Sequence, residues 1–123
     1  MTDYSKMSDF EINKLVAIQL GMRPFCETTG WQGLTSEPYV DVIVRGAGRI
    51  GAFNPCNNPS DAWPIVASSR ISIEFDGDGS TEPQSVWCNV TNFQRTCGIK
   101  YQKNPLRAAM IVYLMMKESE NEN

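Results

Sequence analysis

FNPCNNPSDAWPI, residues 53–65, carries the clearest local instruction in the chain. Asn58 is a residue type that caps helices, Pro59 fits the first helical position, and Asp61 suits the positive amino-terminal end of a helix. Pro64 lacks a backbone N–H and crowds the preceding turn, so this helix is expected to be kinked or only two turns long. The same grammar recurs at Asn104 and Pro105, which start a last helix over residues 106–117. A third start lies at Ser8 and Glu11, an S-x-x-E capping box in which Met7 can staple onto Ile12. That helix is expected over residues 9–20, with Ile12, Leu15 and Val16 on one face and Gly21 in the left-handed position that ends it. Its polar side, Glu11, Asn13 and Lys14, reads as a solvated face.

Between these helices the text changes period. Residues 22–37 read as a long loop punctuated by Pro24, Gly30 and Gly33, with Phe25 and Trp31 as anchors into the core. Residues 40–44 have strand composition, and the glycines of RGAGRIG, residues 45–51, read as a hairpin connection. That run keeps neither the spacing of a dinucleotide-binding loop nor the lysine and hydroxyl of a Walker loop. Ile71, Ile73 and Phe75 alternate with polar residues, as do Val86, Cys88 and Val90, giving two half-buried strands. DGDGSTEPQ, residues 76–84, joins them as an exposed turn, so the pair is an antiparallel hairpin. A third strand is placed over residues 95–100. The fold class is therefore α+β, a small antiparallel sheet packed with helices. AAMIVYLMM, residues 108–116, is more apolar than one amphipathic face requires. It is expected either to sit in the core of one subunit or to be shared in a homo-oligomer.

The chain of 123 residues is read as a single domain, 1–123, with a disordered tail over 118–123. Its formal charge of -3 gives no general attraction for a phosphate backbone, so broad nucleic-acid binding is not expected. No apolar stretch approaches the roughly 18–20 residues of a membrane span, and the first residues lack the apolar core of a secretory signal. Cysteines at 26, 56, 88 and 97 lack the dense spacing of a disulfide-stapled scaffold and read as reduced thiols in a cytoplasm. On that reading Asn89-Val90-Thr91 is a chance match to a glycosylation acceptor.

The chain contains no histidine, which removes the Ser-His-Asp and Cys-His catalytic sets and the commonest zinc ligand. No C-x-x-C pair is present, and Asp76, Asp78 and Glu82 lack the spacing of a calcium loop. Neither a metal site nor a cofactor is expected. An enzyme using Asp61 or another carboxylate on a phosphate ester is the minor alternative. What remains suits recognition: Trp31, Trp63, Trp87 and Tyr101, with Arg45, Arg49, Arg70, Arg95 and Arg107. Rings stack on bases and guanidinium groups hold phosphates, although such residues also serve cores and wet surfaces.

Three blocks, SDFEINKLVAIQLG, FNPCNNPSDAWPI followed by ISI, and NPLRAAMIVYLMM, resemble the small NinX-like family of lambdoid phages and prophages. Their order, including a P-x-x-N-x-x-x-A-W motif and an R-A-A segment, is similar to phage ABA-sandwich domains, which implies an α/β/α-type sandwich. The resemblance supplies a phage context and the cytoplasm of a bacterial host, but no assigned enzymatic activity. By analogy with small phage accessory proteins, a non-enzymatic binding protein is expected, sequestering a nucleotide-like signal in a counter-defence role. The candidate ligand-binding residues are Asn54, Asn57, Asn58, Asp61, Trp63, Trp87 and Arg107. In that scheme a tryptophan stacks, Asn57 and the helix start donate hydrogen bonds, and Arg107 offsets negative charge. The alternative is an adaptor or inhibitor that binds a host or phage protein through the central motif and the C-terminal helix.

Overall fold

The computed structural model describes residues 2–28, 30–32, 40–77 and 86–121. After a single 3-10 turn at Tyr4–Lys6, helix α1 occupies Asp9–Gln19. Ser8 Oγ accepts from the Glu11 amide at 3.2 Å, so the capping residue is the expected one. The other end closes as a Schellman motif: Gly21 has φ 86°, its amide reaches Ile18 O at 3.0 Å, and the Met22 amide reaches Ala17 O at 2.9 Å.

The chain then pairs where a loop was expected. Strand β1, Arg23–Pro24, lies antiparallel to β2, Val42–Gly46, which begins two residues later than its composition suggested. β2 turns into β3, Arg49–Phe53, with Gly46 opposite Arg49 as the last pair. Ala47 and Gly48 between them have φ 53° and 81°. Positive φ at both central positions is the mark of a type I′ turn, whose twist matches that of the strands it joins.

Helix α2 is Pro59–Ser68, capped by Asn58 Oδ1, which accepts from the Ser60 amide at 3.0 Å. It is longer than the two turns expected. Pro64 sits on the exposed side and forfeits only its own bond to the preceding turn, while Ala62, Ile65 and Val66 bury the opposite face. Strands β4, Ser72–Gly77, and β5, Val86–Thr91, form the antiparallel hairpin; its tip, residues 78–85, lies outside the described residues, and with it Asp78 and Glu82. β6, Gly98–Gln102, starts three residues later than expected because buried Asn92 organises a turn first. Its Oδ1 accepts from the Thr96 and Cys97 amides at 2.9 and 3.0 Å.

Helix α3, Pro105–Glu120, is capped by Asn104 Oδ1, which accepts from the Leu106 and Arg107 amides. It continues three residues beyond the expected end at Lys117. Glu118 is tied down there by the Tyr4 hydroxyl at 2.7 Å and by the Thr2 amide and hydroxyl.

The class is α+β: the described residues form three α-helices and antiparallel sheet packed on them, the sheet coming as two three-stranded pieces, β1-β2-β3 and β4-β5-β6. α3 is the hub: it packs against α1, α2 and all three strands of the second sheet, and α1 also packs against β2. Residues 108–114 of α3 are all buried. One subunit therefore accounts for their apolar run, and no second copy is needed to cover it.

Candidate functional site

Most of the polar residues singled out in the sequence lie together where α1, the 54–58 loop and α3 begin. They are occupied with one another. Asn54 Oδ1 accepts from Asn13 Nδ2 at 2.8 Å and from Asn57 Nδ2 at 3.1 Å. Asn57 Nδ2 also lies 3.1 Å from Asp9 Oδ2. Asn104 Nδ2 donates to Cys56 O at 2.9 Å. Arg107 Nη1 pairs with Asp9 Oδ1 at 2.7 Å, and its Nη2 donates to the carbonyls of Met7 and Ser5 at 2.6 and 3.2 Å. The guanidinium thus satisfies the chain entering α1, in a fork geometry that lysine could not reproduce.

Asn13 is the member that sequence reasoning placed wrongly. Read as part of a solvated face, it is 0% exposed. Its Nδ2 donates to Val40 O at 2.9 Å as well as to Asn54, and its Oδ1 accepts from the Cys56 amide at 3.0 Å. Burial pushes the neighbouring Cys56 thiol up to about 12, and the negative charge of Asp9 adds to the shift, so Cys56 is an inert thiol. Asp61 is also turned inward, its side chain 2% exposed. Its Oδ2 accepts from the Asn54 amide at 2.9 Å; its Oδ1 lies 2.5 Å from Arg49 Nη1, as an ion pair outside hydrogen-bonding alignment.

The two tryptophans lie elsewhere. Trp87, on β5, stacks at a tilt against Tyr101 of β6 with ring centroids 5.6 Å apart. Its Nε1 is buried and has no hydrogen-bond partner among the described residues. Trp63 points away from the core on α2 and is 66% exposed. Arg107 is not among the residues lining the groove that Trp63 borders, and the candidate set divides into a polar cluster and two separate aromatic positions.

Trp63 instead shares a groove with residues that the sequence reading gave no site role together. The groove, about 530 Å³, runs between α2 and β4 and includes Arg70, Ile73, Phe75 and Phe93. Phe75 and Phe93 are each 69% exposed. Phe75 has the same strand parity as Ile71 and Ile73 and was expected half-buried, yet it stays uncovered. The Arg70 guanidinium lies 5.7 Å from the Phe93 ring centre. Arg70 is also the left-handed residue that ends α2, with φ 53° and a Schellman pair formed by the amides of Arg70 and Ile71. Glycine would adopt that conformation without the steric cost an arginine bears. The helical spacing of Ala62, Ile65 and Val66 was the available signal that Trp63 faces outward.

A family model described as Bacteriophage P22, NinX matches residues 3–117. The chain belongs to the bacteriophage P22 NinX family. The match takes in every residue of the polar cluster and of the aromatic groove, so both belong to the NinX region of the chain. No curated protein and no solved structure matches the chain. Among the described residues no group of His, Cys, Asp or Glu is arranged to hold a metal ion, and no helix is long and apolar enough to cross a membrane.

Proposed function

We propose that this NinX-family protein is a non-enzymatic phage accessory protein that acts by binding a host or phage protein, with Trp63, Phe75 and Phe93 as its contact face. The observation that carries this reading is that three aromatic side chains, 66–69% exposed, border one open groove. An exposed apolar patch with a polar rim is the usual signature of an interaction site, and Trp, Phe and Arg are enriched at protein interfaces. This face takes Trp63 from the central motif and replaces the C-terminal helix, whose apolar run is spent on the core, with β4.

A nucleotide-like signal has less support. An anionic ligand calls for donors that converge and are free, whereas Asn54, Asn57 and Arg107 serve their own chain. The test is affinity capture from infected cells with the wild-type chain and with Trp63→Ser/Phe75→Ser, two changes at exposed positions that leave the melting temperature within a few degrees. One stoichiometric protein held by the wild type and lost from the variant is expected. If both chains capture the same protein, the face is wrong. If heating the purified chain releases a nucleotide and no protein is captured, sequestration replaces this reading.

A further inference from the structure

The groove does not stand alone, because one of its walls is the edge of a sheet. In the order β4-β5-β6, β4 has one strand neighbour among the described residues, and alternate N–H and C=O groups of an edge strand point away from its only partner. Ile73 and Phe75 of β4 face the groove. Glu74 and Asp76 alternate with them and so lie on the opposite face, both exposed. Their neighbours across the ladder are Asn89 and Trp87, neither of them basic. Two acidic side chains stand side by side along an edge with no opposite charge beside them on β5.

We infer that the partner docks by strand addition, an extended segment with apolar residues at alternate positions and lysine or arginine between them pairing with the outer edge of β4. This rests on the reading that the aromatic face binds protein. The added strand's apolar residues would fall beside Ile73 and Phe75 and fill the groove against Trp63, while its basic residues would fall opposite Glu74 and Asp76. Main-chain bonds supply affinity in this mode, and the alternating side chains supply selection. The same charges argue against a second copy as occupant. Antiparallel pairing of β4 with itself that keeps the faces matched sets Glu74 opposite Glu74 or Asp76 of the other chain in its central registers. Like charges directly opposite are destabilising, so the edge repels itself while attracting a basic strand.

The experiment uses the full chain, nitrogen-15 labelled, and two end-blocked heptapeptides, one alternating valine with lysine and one alternating valine with glutamate. The lysine peptide is expected to shift the amide signals of β4 and to slow hydrogen exchange at its outward amides; the glutamate peptide is expected to do neither. Glu74→Lys/Asp76→Lys, both at exposed positions, should weaken the lysine peptide by about tenfold and admit the glutamate peptide. Equal binding of both peptides, binding of neither, protection confined to residues outside β4, or a β4-to-β4 dimer overturns strand addition. Should neither peptide bind while Trp63→Ser/Phe75→Ser still abolishes capture of the protein partner, strand addition fails and the protein-binding face stands. Should that capture survive the double change, both fail.

Discussion

Arg70 is the residue at which fold and proposed function pull apart. A helix that ends in a left-handed residue is best served by glycine, and the chain spends arginine there, beside Phe93 and at the mouth of the groove. Residues held in unfavourable backbone regions concentrate at functional positions. Arg70→Gly is accordingly expected to raise unfolding stability by about 1 kcal/mol while weakening partner binding; a urea titration and a binding isotherm on the same variant check the two halves. Residues of this kind show how far the text can be read. Asn58 and Asn104 were legible as caps because their partners lie two or three residues away. Asn13 was not, since what it bonds lies 27, 41 and 43 residues distant. Arg107 looked available for an anion for the same reason: Asp9, its counter-ion, is 98 residues back along the chain.

At the scale of elements, the β2–β3 hairpin is built correctly except for one position. Ala47 carries φ 53° in a turn whose favoured sequence is Asn-Gly, and Gly48 is already present. Ala47→Asn should stabilise the chain by about 0.5–1 kcal/mol, seen as a higher urea midpoint at unchanged slope. The strap from Thr2 and Tyr4 to the last turn of α3 carries a pH dependence. Burial, with the hydrogen bond to Glu118, raises the Tyr4 phenol from 10.0 to about 12. A value raised on folding means the stabilisation is complete below the unfolded value and is lost as pH climbs from about 10 toward 12. Glu118 is shifted the other way, down from its ordinary value, chiefly by the hydrogen bond from Tyr4. Its contribution is present above the usual carboxylate range and is lost on acidification. Tyr4→Phe should flatten both limbs relative to wild type, in melting temperatures taken from pH 3 to 11. Element starts and alternation were legible in the sequence, whereas the exposure of Phe75 was not. Strand parity tells which face a residue takes but not whether a helix reaches far enough to cover it.

For the whole molecule, the burial of residues 108–114 within one chain accounts for that part of the apolar run. Ile111→Ala should cost about 2–5 kcal/mol, as expected for a large side chain removed from a close-packed core. Its melting temperature, like that of the wild type, should not move over a hundredfold range of protein concentration, because Ile111 packs within its own chain. A concentration-dependent transition would show that subunits share the helix. The fold class and the number of helices were legible because local starts and stops mark them. The split of the sheet into two pieces was not, since strand partnership is decided by packing against α3 and α1.

The central place of α3 also bears on how the protein is made. Its partners, α1, α2 and the second sheet, all precede it in the chain, and the links from Asp9 and Met7 to Arg107 and from Thr2 and Tyr4 to Glu118 join residues about 100 or more positions apart. During synthesis the faces of α1, α2 and the second sheet that α3 covers stay open until residues 105–120 have been made. The interval before α3 is made is therefore when those faces are most open to misassociation.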